Sequence, residues 1–176
     1  MLTKKTKYAL KALTSLAQEY DRGPVLIAEL ARRERIPRKF LELILLELKN
    51  QGILRSKKGK GGGYALGRKP EAISLGHVMR VLDGPLAPLP CVSQSAYQPC
   101  EECLDEASCR IRLVMKDVRD ATTEILDNTS LADLMRRGDA APLPLEVIAP
   151  GSHRLSAGAV SLALDEPHRE DADDET

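Results

Sequence analysis

Tyr8, Leu10, Ala12, Leu13, Leu16 and Ala17 recur at the spacing of one helical face, and Thr3 stands ahead of them as an N-cap, which predicts a helix to about Tyr20. Asp21-Arg22-Gly23-Pro24 breaks that pattern. Ile27-Ala28-Glu29-Leu30-Ala31 starts a second, short helix ending near Arg35. Pro37 suits the first turn of a third helix, whose Leu41, Ile44, Leu45 and Leu48 face inward and whose end is marked by Asn50-Gln51-Gly52. Two short apolar segments follow, Ile53-Leu54 and Tyr64-Ala65-Leu66, which pair as a hairpin with Lys57, Lys58 and Lys60 at its tip among Gly59, Gly61, Gly62 and Gly63. Ser74 caps a further helix over Leu75 to Leu82, closed by Asp83-Gly84. After a proline-punctuated connector from Pro85 to Pro90, a seven-residue repeat holds from Leu104 to Asn128. Leu104, Ile111, Val118 and Ile125 occupy one register and Ala107, Val114 and Ala121 the other, a seam that asks for a partner helix. Ser130 to Arg137 predicts a last short helix, packing back through Leu131, Leu134 and Met135.

The expected fold is mainly α with a small β-hairpin wing: a winged helix-turn-helix plus a long dimerisation helix. Residues 1–84 are expected to form the winged helix-turn-helix DNA-binding domain with the helix that follows its wing, 85–110 a cysteine-rich sensor loop, 104–137 the dimerisation helix and return segment, and 138–176 a mobile acidic tail. Charge strengthens this division. The net charge is zero, yet residues 1–70 carry 17 Lys/Arg against 6 Asp/Glu and residues 71–176 carry 9 against 20. A basic half attracts a polyanion by counterion release, and an acidic half stands outside that footprint. One Phe, four Tyr and no Trp leave little surface on which single-stranded bases could stack, so duplex DNA is favoured. Arg38, Lys39 and Glu42 lie on the outer N-terminal face of the third helix, where a recognition helix meets a major groove. The glycines of the hairpin let its lysines approach a phosphate backbone or a narrow groove. A nucleotide-binding loop is excluded by pattern, since no Gly-Lys-Ser/Thr follows and Tyr64 stands where a dinucleotide fingerprint needs glycine.

All four cysteines, Cys91, Cys100, Cys103 and Cys109, fall within nineteen residues. The first twenty residues lack a signal-peptide core and no apolar run is long enough to span a membrane, so a cytoplasmic protein is expected. There, clustered cysteines point to metal or redox chemistry rather than structural disulfides. Three chemistries fit: an iron–sulfur cluster held by soft thiolates, a zinc site, and a reversible thiol switch with no cofactor. Zinc usually draws on two close pairs, and only Cys100 and Cys103 are two residues apart. A cysteine-nucleophile enzyme would need a base and an oxyanion site; His77 is the only histidine before residue 138, and no oxyanion-forming motif accompanies it.

Lys7-Tyr8-Ala9-Leu10, Ile27-Ala28-Glu29-Leu30-Ala31, Phe40-Leu41-Glu42, Leu48-Lys49-Asn50-Gln51-Gly52-Ile53-Leu54 and Gly59-Lys60-Gly61-Gly62-Gly63-Tyr64 together resemble the Rrf-two family of bacterial winged-helix regulators, over about residues 1–137. The resemblance implies a homodimer on a palindromic operator. It puts Lys39, Glu42 and Leu43 where members contact base edges and Lys58 where a wing residue enters the minor groove. It also favours an iron–sulfur cluster, since the family's sensors hold one with three cysteines in this loop. The gaps here are eight, two and five residues, unlike the even spacing common in those sensors. Where one branch of the family has a histidine ligand this chain has Arg112, and where another has an aspartate it has Lys7. A fourth ligand would then be the additional cysteine or another group, and the cluster type is not carried over.

Overall fold

The computed structural model describes residues 2–103 and 105–139. Helix α1 (Lys4–Gln18) begins where Thr3 Oγ1 accepts the Thr6 N–H at 3.2 Å, and it buries Ala9, Ala12, Leu13, Leu16 and Ala17. Helices α2 (Ile27–Glu34) and α3 (Arg38–Asn50) are joined by Arg35, Ile36 and Pro37. Arg35 takes the left-handed conformation (φ 54°), and its N–H closes the end of α2 on the Arg32 carbonyl. Ile36 is then buried, and α3 starts directly behind Pro37, which occupies its N-cap position. Leu41, Ile44, Leu45 and Leu48 of α3 are fully buried with Leu13, Leu16 and Leu30 in one hydrophobic core. Lys5 ties this unit together, its Nζ reaching Glu47 on α3 at 2.8 Å and the Leu82 carbonyl at 3.0 Å.

Strands β1 (Leu54–Lys57) and β2 (Gly63–Leu66) pair antiparallel, with Leu54 opposite Leu66 and Lys57 opposite Gly63. Leu54, Ala65 and Leu66 root the hairpin in the core. Val25 adds a bridge to Tyr64 through two backbone bonds, at 2.8 and 2.9 Å. This contact was not expected from the breaker at residues 21–24, and it fixes the wing against the start of α2. It also explains Gly63, since a Cβ there would sit 2.3 Å from the Val25 carbonyl oxygen in a backbone with φ +149°.

Helix α4 (Leu75–Asp83) is capped by Ser74, whose Oγ accepts the His77 N–H at 3.2 Å. Helix α5 (Arg110–Asp127) packs beside it, joined by a bidentate pair in which Arg80 donates to both Asp127 oxygens at 2.7 and 2.8 Å. Gly76 makes room for that pair: a Cβ at this position would lie 2.0 Å from Asp127 Oδ1. Helix α6 (Leu131–Asp139) returns to the core through Leu131, with Ser130 and Asp133 capping one another's backbone N–H groups.

The long helix starts later than the heptad repeat predicts. Asp105 is the reason: its carboxylate accepts the N–H groups of Ala107 and Ser108 at 3.0 and 3.2 Å, a local turn that competes with helix. Ala107 therefore lies in a bend and not on α5, and Leu104 lies outside the described residues. At the other end α6 runs on to Asp139, two residues into the expected tail, and positions 140–176 also lie outside the described residues. No helix among the described residues is long and apolar enough to cross a membrane.

Candidate DNA interface and cysteine loop

Because α3 commits one face wholly to the core, its other face is free to meet a ligand. Arg38, Lys39, Glu42 and Leu43 are all exposed there, Leu43 at 65%. Arg38 Nε pairs with Glu42 Oε1 at 3.1 Å, so these two side chains are held together and not independently extended. Leu46, also exposed, stands one turn beyond Glu42 on the same face and escaped the sequence reading, although the 39, 42, 46 spacing contains it. An exposed leucine there is suited to a thymine methyl, and lysine or glutamate to polar base edges.

In the wing, Lys57, Lys58 and Lys60 are exposed at the tip, which is closed by a 2.9 Å bond from the Gly62 N–H to the Gly59 carbonyl. Gly59 and Gly61 adopt φ of +92° and +74°, a conformation that side chains disfavour. A Cβ on Gly62 would meet the Lys57 carbonyl oxygen at 2.4 Å. The turn thus depends on glycine at several positions, and three ammonium groups stand at its tip without bulky neighbours.

The cysteines divide into one and three. Cys91 is buried in a single 3-10 turn, Pro90–Val92. Cys100, Cys103 and Cys109 are half-exposed and none is in a disulfide, and the Cys103 thiol lies in contact with those of both Cys100 and Cys109. Hydrogen bonding to Cys109, then burial, then contact with Cys100 pushes the Cys103 thiol up to about 12. Cys109 caps α5, and its thiol is held below the ordinary range first by the Arg112 N–H, then by the Cys103 thiol, with the Ile111 N–H and the Arg112 charge adding to the effect. The donor set, three soft sulfurs, suits a soft metal or a cluster. Among the described residues no three His, Cys, Asp or Glu side chains are gathered at a point that could hold a metal ion. Of the four cysteines that the sequence marks as candidate ligands, Cys100, Cys103 and Cys109 share thiol contacts in which Cys91 takes no part.

Helix α5 leaves its apolar stripe in solvent. Ile111, Val114, Val118 and Ile125 are 65, 56, 45 and 62% exposed, and Ala121 is exposed on the same stripe. The residue it buries is Arg119. This helix is not folded onto its own domain by the hydrophobic face that the heptad repeat provides.

A basic glycine-rich wing beside a recognition helix, on a helix-turn-helix scaffold, defines a DNA-binding transcriptional regulator. The chain belongs to the Rrf2 (Rrf-two) family: the family model described as Rrf2, iron-dependent transcriptional regulator, matches residues 2–137. It is 46% identical over 149 residues to an rrf2-like HTH-type transcriptional regulator of Rhodobacter capsulatus, covering 83% of this chain and 99% of that one. It is 32% identical to the regulator CymR of Bacillus subtilis over 76% of this chain and 88% of the relative. The solved structure of that protein, the global cysteine regulator of B. subtilis, superposes with a TM-score of 0.66 at 31% identity, covering 78% of this chain and 97% of that chain. IscR of T. potens superposes with a TM-score of 0.64 at 27% identity, covering 82% and 92% respectively. These relatives are regulators and not enzymes.

Proposed function

We propose that this regulator acts as a homodimeric repressor on a palindromic operator and senses iron, iron–sulfur supply, nitric oxide or redox state through a cysteine-held cluster. The observation that carries the reading is the run of thiol contacts from Cys100 through Cys103 to Cys109, which ends at the N-terminus of α5, a helix whose apolar stripe lies in solvent. Ile111, Val114, Val118, Ala121 and Ile125 pair with the same stripe of a second copy, and the resulting two-fold matches paired half-sites. Lys39, Glu42, Leu43 and Leu46 read base edges, and Lys57, Lys58 and Lys60 hold the wing on phosphate. Cys100, Cys103 and Cys109, joined by Cys91, hold the cluster, which when bound supplies a group sensitive to oxidants and to iron supply. The family's description as iron-dependent supports this assignment.

The test is a visible spectrum with iron and sulfide analysis on protein purified without oxygen. Absorbance at about 400 nm with stoichiometric iron and sulfide, lost in Cys109→Ala, is the expected result. Zinc without sulfide would replace the cluster by a structural metal. A second reading, a thiol switch, is favoured by the contact between the Cys103 and Cys109 thiols. In it two thiols give up two electrons and two protons to an oxidant such as a peroxide and form one disulfide. A colourless protein holding neither iron nor zinc would select a cofactor-free regulator, controlled by that thiol switch or by a protein partner, and leave the DNA-binding assignment intact.

A further inference from the structure

Two arginines seven residues apart on α5 reach the same place. Arg112 Nε donates to the carbonyl of Cys91 at 3.3 Å, and Arg119 Nη1 donates to the carbonyl of the next residue, Val92, at 2.8 Å. We infer that Arg112 and Arg119 are positioning residues that clamp the Cys91–Val92 turn to α5, so that a change at the cysteine loop reaches the helix through these two side chains. The inference rests on the proposed sensing role of that loop.

The turn has the stiffness such a connection needs. The Val92 N–H donates to the Leu89 carbonyl, those of Ser93 and Gln98 both donate to the Pro90 carbonyl, and that of Ala96 donates to Ser93 Oγ. These bonds tie residues 89–98 into one hydrogen-bonded turn. Arg119 is held in an unusual way for a purely structural residue. It is 8% exposed, its Nη2 pairs at 2.5 Å with the adjoining Asp120, and its buried Nε has no hydrogen-bond partner among the described residues. A buried guanidinium left partly unsatisfied is costly, and packing alone would be served better by an apolar side chain. Arg112 is tied in turn to Glu106 at 3.5 Å, and Glu106 accepts the Tyr97 O–H at 2.7 Å, which links the clamp to both arms of the cysteine loop. Bringing Cys91 to the other three thiols requires the turn or the 100–109 segment to shift, since the four sulfurs do not share a site here. A shift of the turn pulls on residues 112 and 119, which lie on the side of α5 opposite its exposed stripe. The helix then rolls, and with it the stripe.

The clamp is tested in the full chain with Arg112→Met and Arg119→Met, read in two ways. The first is peptide-resolved alkylation of Cys91 in metal-free, reduced protein. The buried thiol should label faster by about ten- to a hundred-fold, the change expected when a hydrogen bond from a charged donor no longer holds the closed state. The second is affinity for a duplex selected by the wild-type chain, measured before and after reconstitution with ferrous iron and sulfide. A wild-type ratio within roughly 5- to 150-fold should collapse toward one in the variants, with the metal-free affinity and the circular dichroism unchanged. Arg119→Lys, which keeps the charge and a donor for Val92, should recover both readouts in part and guards against a methionine variant that fails to fold. Wild-type labelling of Cys91 together with a wild-type ratio in both methionine variants overturns the clamp. A ratio of one in the wild-type chain itself would remove the sensing role instead. The labelling rate then decides the clamp alone, faster labelling sustaining it and an unchanged rate ending it.

Discussion

Helix α3 buries Leu41, Ile44, Leu45 and Leu48 completely and turns Lys39, Glu42 and Leu46 outward, whereas α5 buries Arg119 and turns Ile111, Val114, Val118 and Ile125 outward. Both helices carry an apolar stripe, over residues 41–48 in α3 and 111–125 in α5. In α3 the stripe is satisfied within the chain, so its free face can be given over to a ligand. In α5 the stripe is left over, and the helix docks on its own chain through Arg80–Asp127, the two arginine-to-carbonyl bonds and Leu126, which packs against the core. Apolar periodicity therefore says that a helix has a buried face in its working state, without saying which chain buries it.

The sharpest way to break the comparison is to charge the α5 stripe. In Val114→Glu combined with Val118→Glu, four carboxylates would enter the proposed two-fold interface unpaired. Each unpaired charge is worth several kcal/mol, so self-association should weaken by at least about a thousandfold while far-ultraviolet circular dichroism is kept. Sedimentation equilibrium measures this, and an unchanged dimer would mean that α5 is not the interface. Next in size is Leu45→Ala, on the satisfied stripe, which should cost about 2–5 kcal/mol in urea unfolding because the site is fully enclosed. Val118→Ala, measured at a concentration where the chain is monomeric, should cost far less. If the two costs were equal, the contrast between the helices would be lost.

The wing offers a milder test. Lys58→Ala removes one of three exposed ammonium groups at the tip and should weaken binding about equally across duplex sequences, lowering the slope of log affinity against log salt by about one. A change confined to one operator position would instead mean that Lys58 reads a base. Lys39→Ala is the complement on α3, where a loss that depends on sequence is expected.

These contrasts also mark what the chain reveals before it is folded. The helix-turn-helix and hairpin were legible because Leu41, Ile44, Leu45 and Leu48 keep helical spacing, Gly52 stops the helix, and the Lys-Gly tip separates two short apolar runs. The late start of α5 was not, because Leu104 and Ala107 continue the heptad while a single carboxylate, Asp105, diverts the backbone. Nor was the Val25–Tyr64 bridge, which pairs residues 39 positions apart and leaves no periodic trace. Arg112 and Arg119 are visible as an i, i+7 pair, yet their use is not, since what they meet is the carbonyl of a turn twenty or more residues away. The cysteines could be seen to cluster. Their division into three and one depends on where α5 begins.

The smallest expected effect lies at the junction of the two regions, where Arg80 of α4 meets Asp127 of α5. The hydrogen bond from Arg80 holds the Asp127 carboxyl below its ordinary value of 3.8, against an opposing effect of burial. A carboxyl depressed in the folded chain stabilises it at pH above the unfolded value, and that contribution is lost as pH falls through the lower, folded value. Both side chains are more than a third exposed, 35% and 39%, so solvent screening keeps the contribution at pH 7 to less than about 1 kcal/mol. Arg80→Met should therefore lower urea-unfolding stability slightly at neutral pH, and the gap to wild type should close as the solution is acidified below 3.8. A gap that persists in acid would trace the loss to packing of the arginine stem against α5. Gly76→Ala reaches the same junction by a different route, driving a methyl into Asp127 without removing either charge. If Gly76→Ala also loosens self-association while Arg80→Met does not, the fit between α4 and α5, rather than the ion pair, sets the angle at which the stripe is offered.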